Sequence, residues 1–176
     1  MRPNFKPRVH SPLRECLQSA LLVIATLAGA ASSAHAQSMT VEQAKAIIAP
    51  FYSIFTMPVA GDVKALLEQS TTADWQSCSS NTSCDSRDDR EPVFSGFGKA
   101  VPNLKYVMKE VVVAGDKVIV RGELSGTPAG TFLGVPNTGH SFTIMTIDEN
   151  TIRDGKVSRT YHVEDWASAR RQLSQN

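Results

Sequence analysis

Residues 105–125 read KYVMKEVVVAGDKVIVRGELS, and this stretch indicates a β-hairpin. Valine and isoleucine crowd both of its halves, 105–114 and 117–125, as is typical of strands. Gly115-Asp116 separates the halves by two residues, the length of a tight hairpin turn, and glycine adopts the positive φ that such turns require. We therefore predict two antiparallel strands joined at Gly115-Asp116.

The strand character continues towards the C-terminus. Residues 126–139 are rich in Gly, Pro and Thr and predict a loop, which leads to a strand over residues 140–152. Asp154-Gly155 predicts a second hairpin turn before a last strand over residues 157–164. Residues 166–173 predict a C-terminal helix, which closes the pattern.

Helical patterns precede the hairpin. Thr40 and Gln43 have the spacing of a capping box, and the apolar residues behind them recur at helical spacing until Pro58 ends the helix. Asp62 is a suitable N-cap for a second helix over residues 63–69. The N-terminal part of the domain is therefore predicted to be helical.

The segment between these helices and the hairpin has weaker signals. Residues 73–77 predict a short strand, and residues 96–103 predict a short helix that is interrupted near Pro102. Residues 78–91 are rich in Ser, Asn, Asp and Arg and have no apolar period, which predicts a solvated loop. Helices followed by a long antiparallel meander predict a single α+β domain, with one curved sheet and helices on one side. Such a sheet leaves a cone-shaped cavity, where a small-molecule site is expected.

The first 36 residues have the order of a secretory signal peptide. Basic residues are followed by an apolar run over residues 17–31 and by the small residues of Ala34-His35-Ala36. We expect cleavage before Gln37 and export to the periplasm or the medium, with no membrane association afterwards. A membrane anchor is the alternative, but the run of about 15 residues is shorter than the ~20 that a spanning helix needs.

Composition limits the function classes. An apolar content of 41% is ordinary for a globular domain and argues against a disordered chain. Without residues 1–36 the chain holds 14 Lys or Arg and 16 Asp or Glu, a formal charge of −2. No Lys/Arg run remains, so a nucleic-acid-binding protein is not expected.

Two cysteines remain after the expected cleavage. Cys78 and Cys84 flank five polar residues. An even pair in an exported chain predicts a disulfide that closes a small loop, and free thiols are the alternative. A metal site would need more ligands, and no His or CxxC lies nearby. No metal site is therefore predicted.

The last strand carries the strongest catalytic candidate. Alternation places Arg159, Tyr161, Val163 and Asp165 on one face, and Val163 suggests that this face looks inward. Asp165 is then expected at the edge or floor of a pocket as a general acid/base; its alternative role is the N-cap of the helix that follows. His162 is a candidate proton shuttle or substrate contact, and its alternative is a surface histidine on the opposite face.

Three further side chains are candidates for substrate binding. Arg121 is a partner for Asp165 or for an anionic substrate, and its alternative is a surface ion pair with Glu123 or a neighbouring carboxylate. Tyr161 is a hydrogen-bond donor to a carbonyl, against packing in the core. Trp75 is a pocket wall, against an ordinary core position. No nucleophilic triad and no metal-binding motif occurs in the sequence.

Two segments carry a family resemblance. Residues 126–139, GTPAGTFLGVPNTG, resemble the GTHxGxFxGxPxTG segment of SnoaL-like polyketide cyclases, also called ester cyclases. Residues 154–157, DGKV, with the later Tyr161, Asp165 and Gln172-Leu173, are similar to the DGKI…W…D…QL ending of that family. The resemblance covers roughly residues 100–173.

The resemblance implies a nuclear-transport-factor-two-like fold, a cystatin-like roll whose cone-shaped, curved antiparallel sheet packs against N-terminal helices. It implies that Asp165 is the general acid/base of an intramolecular aldol closure without metal or organic cofactor, and that the protein is a homodimer. Arg121 matches an Arg that the family often carries six residues before the Thr of the GT pair. The chain departs from the family at Pro128, where the family has His, and at Tyr161, where it has Trp.

Three functional hypotheses follow. The first is an exported cyclase, isomerase or lyase that uses Asp165 for proton transfer on a small hydrophobic carbonyl compound. The second is a protein of the same fold that holds a small hydrophobic molecule without turnover. The third is an association domain that pairs through the exposed face of its sheet.

Overall fold

The computed structural model describes residues 39–175, and the predicted export signal lies outside them. Two helices come first and a third follows two strands. The elements in chain order are α1 (Val41–Ser53), α2 (Val63–Ser70), β1 (Thr71–Cys78), β2 (Cys84–Ser86), α3 (Arg87–Ala100), β3 (Lys105–Ala114), β4 (Lys117–Gly126), β5 (Phe142–Arg153), β6 (Lys156–Glu164) and α4 (Trp166–Leu173). None of these helices has the length and the apolar run that crossing a membrane requires.

Both predicted hairpins are confirmed. Strands β3 and β4 pair antiparallel up to Ala114 and Lys117, around Gly115, whose φ is 64°. In the β5–β6 turn Asp154 and Gly155 have φ of 53° and 72°. Positive φ at both central residues matches the right-handed twist of the flanking strands, which is why this dipeptide joins them.

The six strands form one sheet in the order β2-β1-β6-β5-β4-β3. Every neighbouring pair is antiparallel except β1 and β6, which run parallel. The predicted α+β class is confirmed, and the short strand expected near residues 73–77 is β1. The sheet is thus mixed at one pair rather than antiparallel throughout, because β1 enters beside the last strand of the meander.

The predicted helix starts are also confirmed. Thr40 and Gln43 bond each other's backbone N–H, with distances of 3.1 Å to Thr40 Oγ1 and 2.8 Å to Gln43 Oε1. Asp62 accepts a hydrogen bond from the Ala65 N–H at 2.9 Å and caps α2. These side chains satisfy N–H groups that a helix leaves unpaired at its start.

Residues 78–91 differ from the predicted loop. They contain β2 and the first turn of α3, and the helix runs over Arg87–Ala100 instead of residues 96–103. Ser86 caps α3 and forms a capping box with Asp89. The sequence did not predict this helix because Phe94 is the only buried residue of α3, so its apolar residues show almost no helical period.

The predicted orientation of the last strand is wrong. Val163 is 68% exposed, while Thr160, on the opposite face, is buried. Arg159 and Tyr161 share the outer face with Val163. The β5–β6 register shifts beside Ser158. Polar side chains of β6 can face inward because buried partners satisfy their hydrogen bonds.

Candidate functional site

A cavity opens between the inner face of the sheet and helices α1 and α3. The space between these elements comes to about 520 Å³ only when the open solvent at its mouth is counted, so the enclosed part is much smaller. Seven of its fifteen lining residues are Phe, Tyr or Trp: Phe51, Tyr52, Phe55, Phe94, Phe97, Tyr106 and Trp166. Its polar groups include Asp148 and His162 on the sheet, and Arg90 on α3.

Asp148 lies on the inner face of β5 and is only 7% exposed. The Tyr52 hydroxyl donates a hydrogen bond to Asp148 Oδ2 at 2.9 Å, and the Tyr106 hydroxyl approaches the same oxygen at 3.4 Å. The two phenol rings stack with their centroids 4.8 Å apart. Two phenols from α1 and β3 therefore hold one carboxyl oxygen at the floor of the cavity.

A glycine makes room for one of these phenols. Gly122 on β4 lies under Tyr106, and any Cβ at this position would collide with the Tyr106 hydroxyl and with Thr146 Oγ1. Tyr106 can therefore lay its ring across β4 and reach the carboxyl of Asp148. Only glycine allows such a close approach between a side chain and a strand backbone.

Burial raises the pKa of Asp148 to about 7. The hydrogen bonds from Tyr52 and Tyr106 and the charge of His162 oppose this rise, while the charge of Glu164 adds to it. The pKa values of both tyrosines are raised, chiefly by burial, so they are protonated donors at neutral pH. A carboxyl group that titrates near neutrality can both accept and return a proton.

His162 lies directly across from Asp148 in the β5–β6 ladder. Its Nδ1 is 3.0 Å from Glu164 Oε1, and both side chains line the cavity. The hydrogen bond to Glu164 raises the pKa of His162, although burial opposes the rise. Directly opposed strand residues are close neighbours, so the cavity holds an imidazole beside the buried carboxyl.

Behind Asp148 lies a chain of buried hydrogen bonds. Trp75 Nε1 donates to Thr160 Oγ1 at 3.1 Å, and that hydroxyl donates to Asn150 Oδ1 at 2.9 Å. Asn150 Nδ2 donates to the Tyr52 hydroxyl at 3.0 Å. Because the Tyr52 oxygen already accepts from Asn150, its proton is directed at Asp148.

Of the two residues predicted to be catalytic, only His162 lines the cavity. Asp165 is exposed at the N-terminus of α4, where its carboxylate accepts a hydrogen bond from the Ser168 N–H at 2.9 Å. The hydrogen bonds from Ser168 also lower the pKa of Asp165. The geometry is that of the helix cap that we considered as the alternative.

The predicted substrate-binding residues do not line the cavity either. Arg121 lies on the outer face of β4 and forms an exposed ion pair with Glu110 at 3.1 Å. Tyr161 is on the outer face of β6. Trp75 is buried and packs 5.6 Å from the Phe51 ring, one layer behind the aromatic wall.

Sequence reasoning missed Asp148, although a signal for it exists. Every second residue of β5 is buried, beginning with Phe142, Ile144 and Thr146. The same alternation places Asp148 on the buried face. A carboxylate in an inward row is unusual and points to a site. Tyr52 and Arg90 carry no comparable signal, because their approach to the cavity depends on how α1 and α3 pack.

The predicted disulfide is confirmed. Cys78 and Cys84 are bonded and join the ends of β1 and β2. The bond holds the chain next to the start of α3, which supplies one wall of the cavity. Among residues 39–175, no cluster of three or more His, Cys, Asp or Glu side chains is arranged to hold a metal ion.

Comparison with known proteins gives a consistent result. The model of the family described as SnoaL-like polyketide cyclase matches residues 60–173. No curated protein matches the chain significantly.

Solved structures with the same fold share little sequence with this chain. TsrD from Streptomyces laurentii is 20% identical with a TM-score of 0.66, over 77% of this chain and 97% of its own. Wild-type IdmH from Streptomyces antibioticus is 22% identical with a TM-score of 0.64, over 74% and 98%. A SnoaL-like polyketide cyclase from Agrobacterium tumefaciens is 15% identical with a TM-score of 0.61, over 75% and 98%. At these identities the likeness establishes the fold.

Proposed function

This chain belongs to the SnoaL-like polyketide cyclase family, and from this premise we propose that it binds a small hydrophobic carbonyl compound in the aromatic cavity and transfers protons on it. The observation that carries the proposal is the buried carboxyl of Asp148 at the cavity floor, held by Tyr52 and Tyr106. The reaction class is cyclisation, isomerisation or elimination by general acid/base catalysis.

The chemistry requires one group that removes a proton and returns it. In the proposed cyclisation, the Asp148 carboxylate takes a proton from the carbon next to a carbonyl, and an enolate forms. The enolate carbon then attacks a second carbonyl carbon of the same molecule, and the resulting alkoxide receives the proton from the Asp148 carboxylic acid. A pKa of about 7 suits both directions of this transfer at neutral pH.

His162 is proposed to stabilise the enolate. A protonated imidazole next to the reacting carbonyl can donate a hydrogen bond to the oxygen as negative charge develops on it. Glu164 supports the protonated form, because its carboxylate is 3.0 Å from Nδ1. Because Nδ1 is bonded to Glu164, the hydrogen bond to the substrate oxygen must come from the other ring nitrogen, Nε2. The imidazolium carries a proton on that nitrogen.

The experiment that tests this proposal needs no knowledge of the natural substrate. We would incubate the protein with 2-tetralone, an aromatic ketone, in D₂O and follow the incorporation of deuterium next to the carbonyl by NMR. We expect the wild-type protein to accelerate the exchange and Asp148→Asn to slow it at least ~100-fold, the usual range for loss of a general base. His162→Gln is expected to have an intermediate effect.

Asp165→Asn is the decisive comparison in this experiment, because Asp165 remains the residue predicted from the sequence and Asn is an equally good N-cap. Exchange that depends on Asp165 and is indifferent to Asp148 would contradict the proposal. Binding of 2-tetralone without accelerated exchange would favour the second hypothesis, a protein that holds its ligand without turnover.

The homodimer implied by the family resemblance is also a proposal. Support comes from an apolar surface, the outer patch, on the face of the sheet away from the helices: Val112, Ile119, Met145, Ile147 and Val163 are exposed there. Isolated apolar side chains are common on surfaces, but neighbouring ones on four adjacent strands are typical of an interface. Sedimentation analysis is expected to give a dimer for the wild-type protein and a monomer for Ile147→Glu.

Export remains a proposal as well. The disulfide between Cys78 and Cys84 supports it, since such bonds persist in oxidising compartments. The mass of the protein secreted by cells that express the full chain tests it: the expected N-terminus is Gln37, and retention of the intact chain inside the cell would contradict it.

A further inference from the structure

Arg90 brings a positive charge and an unused donor to the cavity. It lies in the first turn of α3 and contributes to the cavity wall. Its Nε is buried and has no hydrogen-bond partner in the part of the chain that the structure describes. Buried polar groups are almost always hydrogen-bonded, so a group in the cavity that accepts a hydrogen bond would satisfy Arg90.

The guanidinium of Arg90 is restrained by an aromatic ring and has one long ion pair. It lies 4.9 Å above the centre of the Phe94 ring, one helical turn further along α3. This stacking restrains the plane of the group. The nearest carboxylate, Asp85, is 3.7 Å away on the solvent side and is half exposed, and ion pairs of this kind contribute little.

The other charged groups of the cavity leave the Arg90 side positive. Glu164 is hydrogen-bonded to His162, and Asp148 on the sheet accepts hydrogen bonds from two tyrosines. The hydrogen bond to Glu164 raises the pKa of His162, and the charge of Arg90 acts against this rise across the same cavity. A ligand with a negative group near α3 and an apolar body against the aromatic wall would complement this arrangement.

We propose that Arg90 binds a carboxylate of the substrate through its Nε–H and one terminal N–H, so that the substrate of this cavity is an apolar carbonyl compound that also carries an acid group. Arginine suits this role because its planar fork matches the two oxygens of a carboxylate. The inference rests on the proposed function of the cavity and specifies its substrate class.

Two ligands of equal shape and different charge test the assignment. trans-Cinnamate and trans-cinnamamide share the aromatic body, and only the first carries a carboxylate. We would measure both dissociation constants by titration calorimetry at pH 6, where the Asp148 carboxyl is mostly protonated. The wild-type protein is expected to prefer cinnamate by at least ~10-fold, as for a charge-assisted bidentate pair.

Arg90→Met is expected to reduce this preference to less than about twofold while the amide binds as before, which also shows that the cavity is intact. Arg87→Met is the matched control, because Arg87 lies on the same helix and carries the same charge but is not among the residues that line this cavity. It is expected to retain the full preference.

The outcomes separate the two levels of the proposal. Equal binding of both ligands by the wild-type protein, or an undiminished preference in Arg90→Met, would overturn the assignment of Arg90 and leave the function of the cavity standing. Failure of the wild-type protein to bind either ligand would count against the proposed function as well as against Arg90.

Discussion

A carboxyl group buried as deeply as Asp148 destabilises the fold whenever it is charged. The pKa is about 7 in the folded protein and about 3.9 in an unfolded chain. Between these pH values the folded protein keeps a proton that the unfolded chain has released. Stability therefore falls as the pH rises from about 4 to about 7, and above that range the loss is complete.

Asp148→Asn removes this cost, because an amide is neutral at every pH and its oxygen can still accept the hydrogen bond from Tyr52. We expect the variant to be more stable than the wild-type protein at pH 8, by a free energy of unfolding on the order of 2–4 kcal/mol, and similar to it near pH 4. Thermal unfolding across this pH range checks the expectation. Asp165→Asn, at an exposed cap, is the control and should have the same stability as the wild-type protein above pH 5. If the stabilities of the wild-type protein and Asp148→Asn change with pH in parallel, the burial argument is contradicted.

Thr160 is the central link of the hydrogen-bond chain behind Asp148. Its hydroxyl accepts from Trp75 and donates to Asn150, and all three groups are buried. Removal of the hydroxyl leaves an indole N–H and an amide oxygen without partners, and each unpaired buried group costs about 1–3 kcal/mol.

Thr160→Val is therefore expected to lower the free energy of unfolding by about 2 kcal/mol or more, with almost no change in side-chain shape. Thr143→Val is the control, since Thr143 lies on the exposed face of the same sheet and only its backbone is hydrogen-bonded within residues 39–175. Denaturant unfolding of both variants measures the difference. If the free energy of unfolding falls no more in Thr160→Val than in Thr143→Val, the hydrogen-bond chain behind Asp148 contributes nothing to stability.

Among the elements, α3 depends most on its connection to the sheet. Only Phe94 of its residues is buried, so packing alone anchors it weakly. The Cys78–Cys84 bond ties β2 to β1, and the Ser86 cap then starts the helix. The position of Arg90, and of the two aromatic wall residues that α3 supplies, Phe94 and Phe97, thus follows from a covalent link and a cap rather than from a large apolar face.

Replacement of both cysteines by serine is expected to lower the free energy of unfolding by about 2 kcal/mol and to speed hydrogen exchange in α3 more than in α1. The physical reason is that β2 loses its tie to β1 and the start of α3 is released with it. Exchange measured by mass spectrometry, with the oxidised wild-type protein as control, resolves the two helices. If removal of the disulfide speeds exchange equally in α1 and α3, or in neither, the disulfide does not position α3.

Local patterns explain which elements were predictable. The two hairpins and the three capped helices α1, α2 and α4 carry their signals within a few residues, such as Asp154-Gly155 for the β5–β6 turn. The start of α3 carries a capping box with Asp89 in place of the usual Glu or Gln. A helix with one buried residue lacks the period on which sequence reading relies.

At the scale of the whole molecule, the site is assembled from distant parts of the chain. Tyr52 and Asp148 are 96 residues apart in sequence and share a hydrogen bond. The parallel pairing of β1 with β6 brings Trp75 against Thr160. Neither contact leaves a local signal, so the sequence could predict a cavity and its fold but not which side chains meet around Asp148.

The side chains of the last strand illustrate the same limit. Alternation correctly separated His162 from Val163, but the choice of the inward face rested on the assumption that Val163 is buried. A polar inner row of Thr160, His162 and Glu164 contradicts that assumption. His162 and Glu164 bond each other, and Thr160 finds its hydrogen-bond partners, Trp75 and Asn150, on the neighbouring strands β1 and β5. Only the assembled fold supplies those partners.

The titration of the Asp148 carboxyl is the measurement that bears most directly on the proposed chemistry. NMR of protein labelled with ¹³C at the aspartate carboxyl carbons follows each group as the pH changes. We expect one aspartate to titrate near pH 7, and its signal to be absent from Asp148→Asn. If every aspartate of the wild-type protein titrates below about pH 5, Asp148 is an ordinary carboxylate and the proton-transfer role assigned to it is wrong.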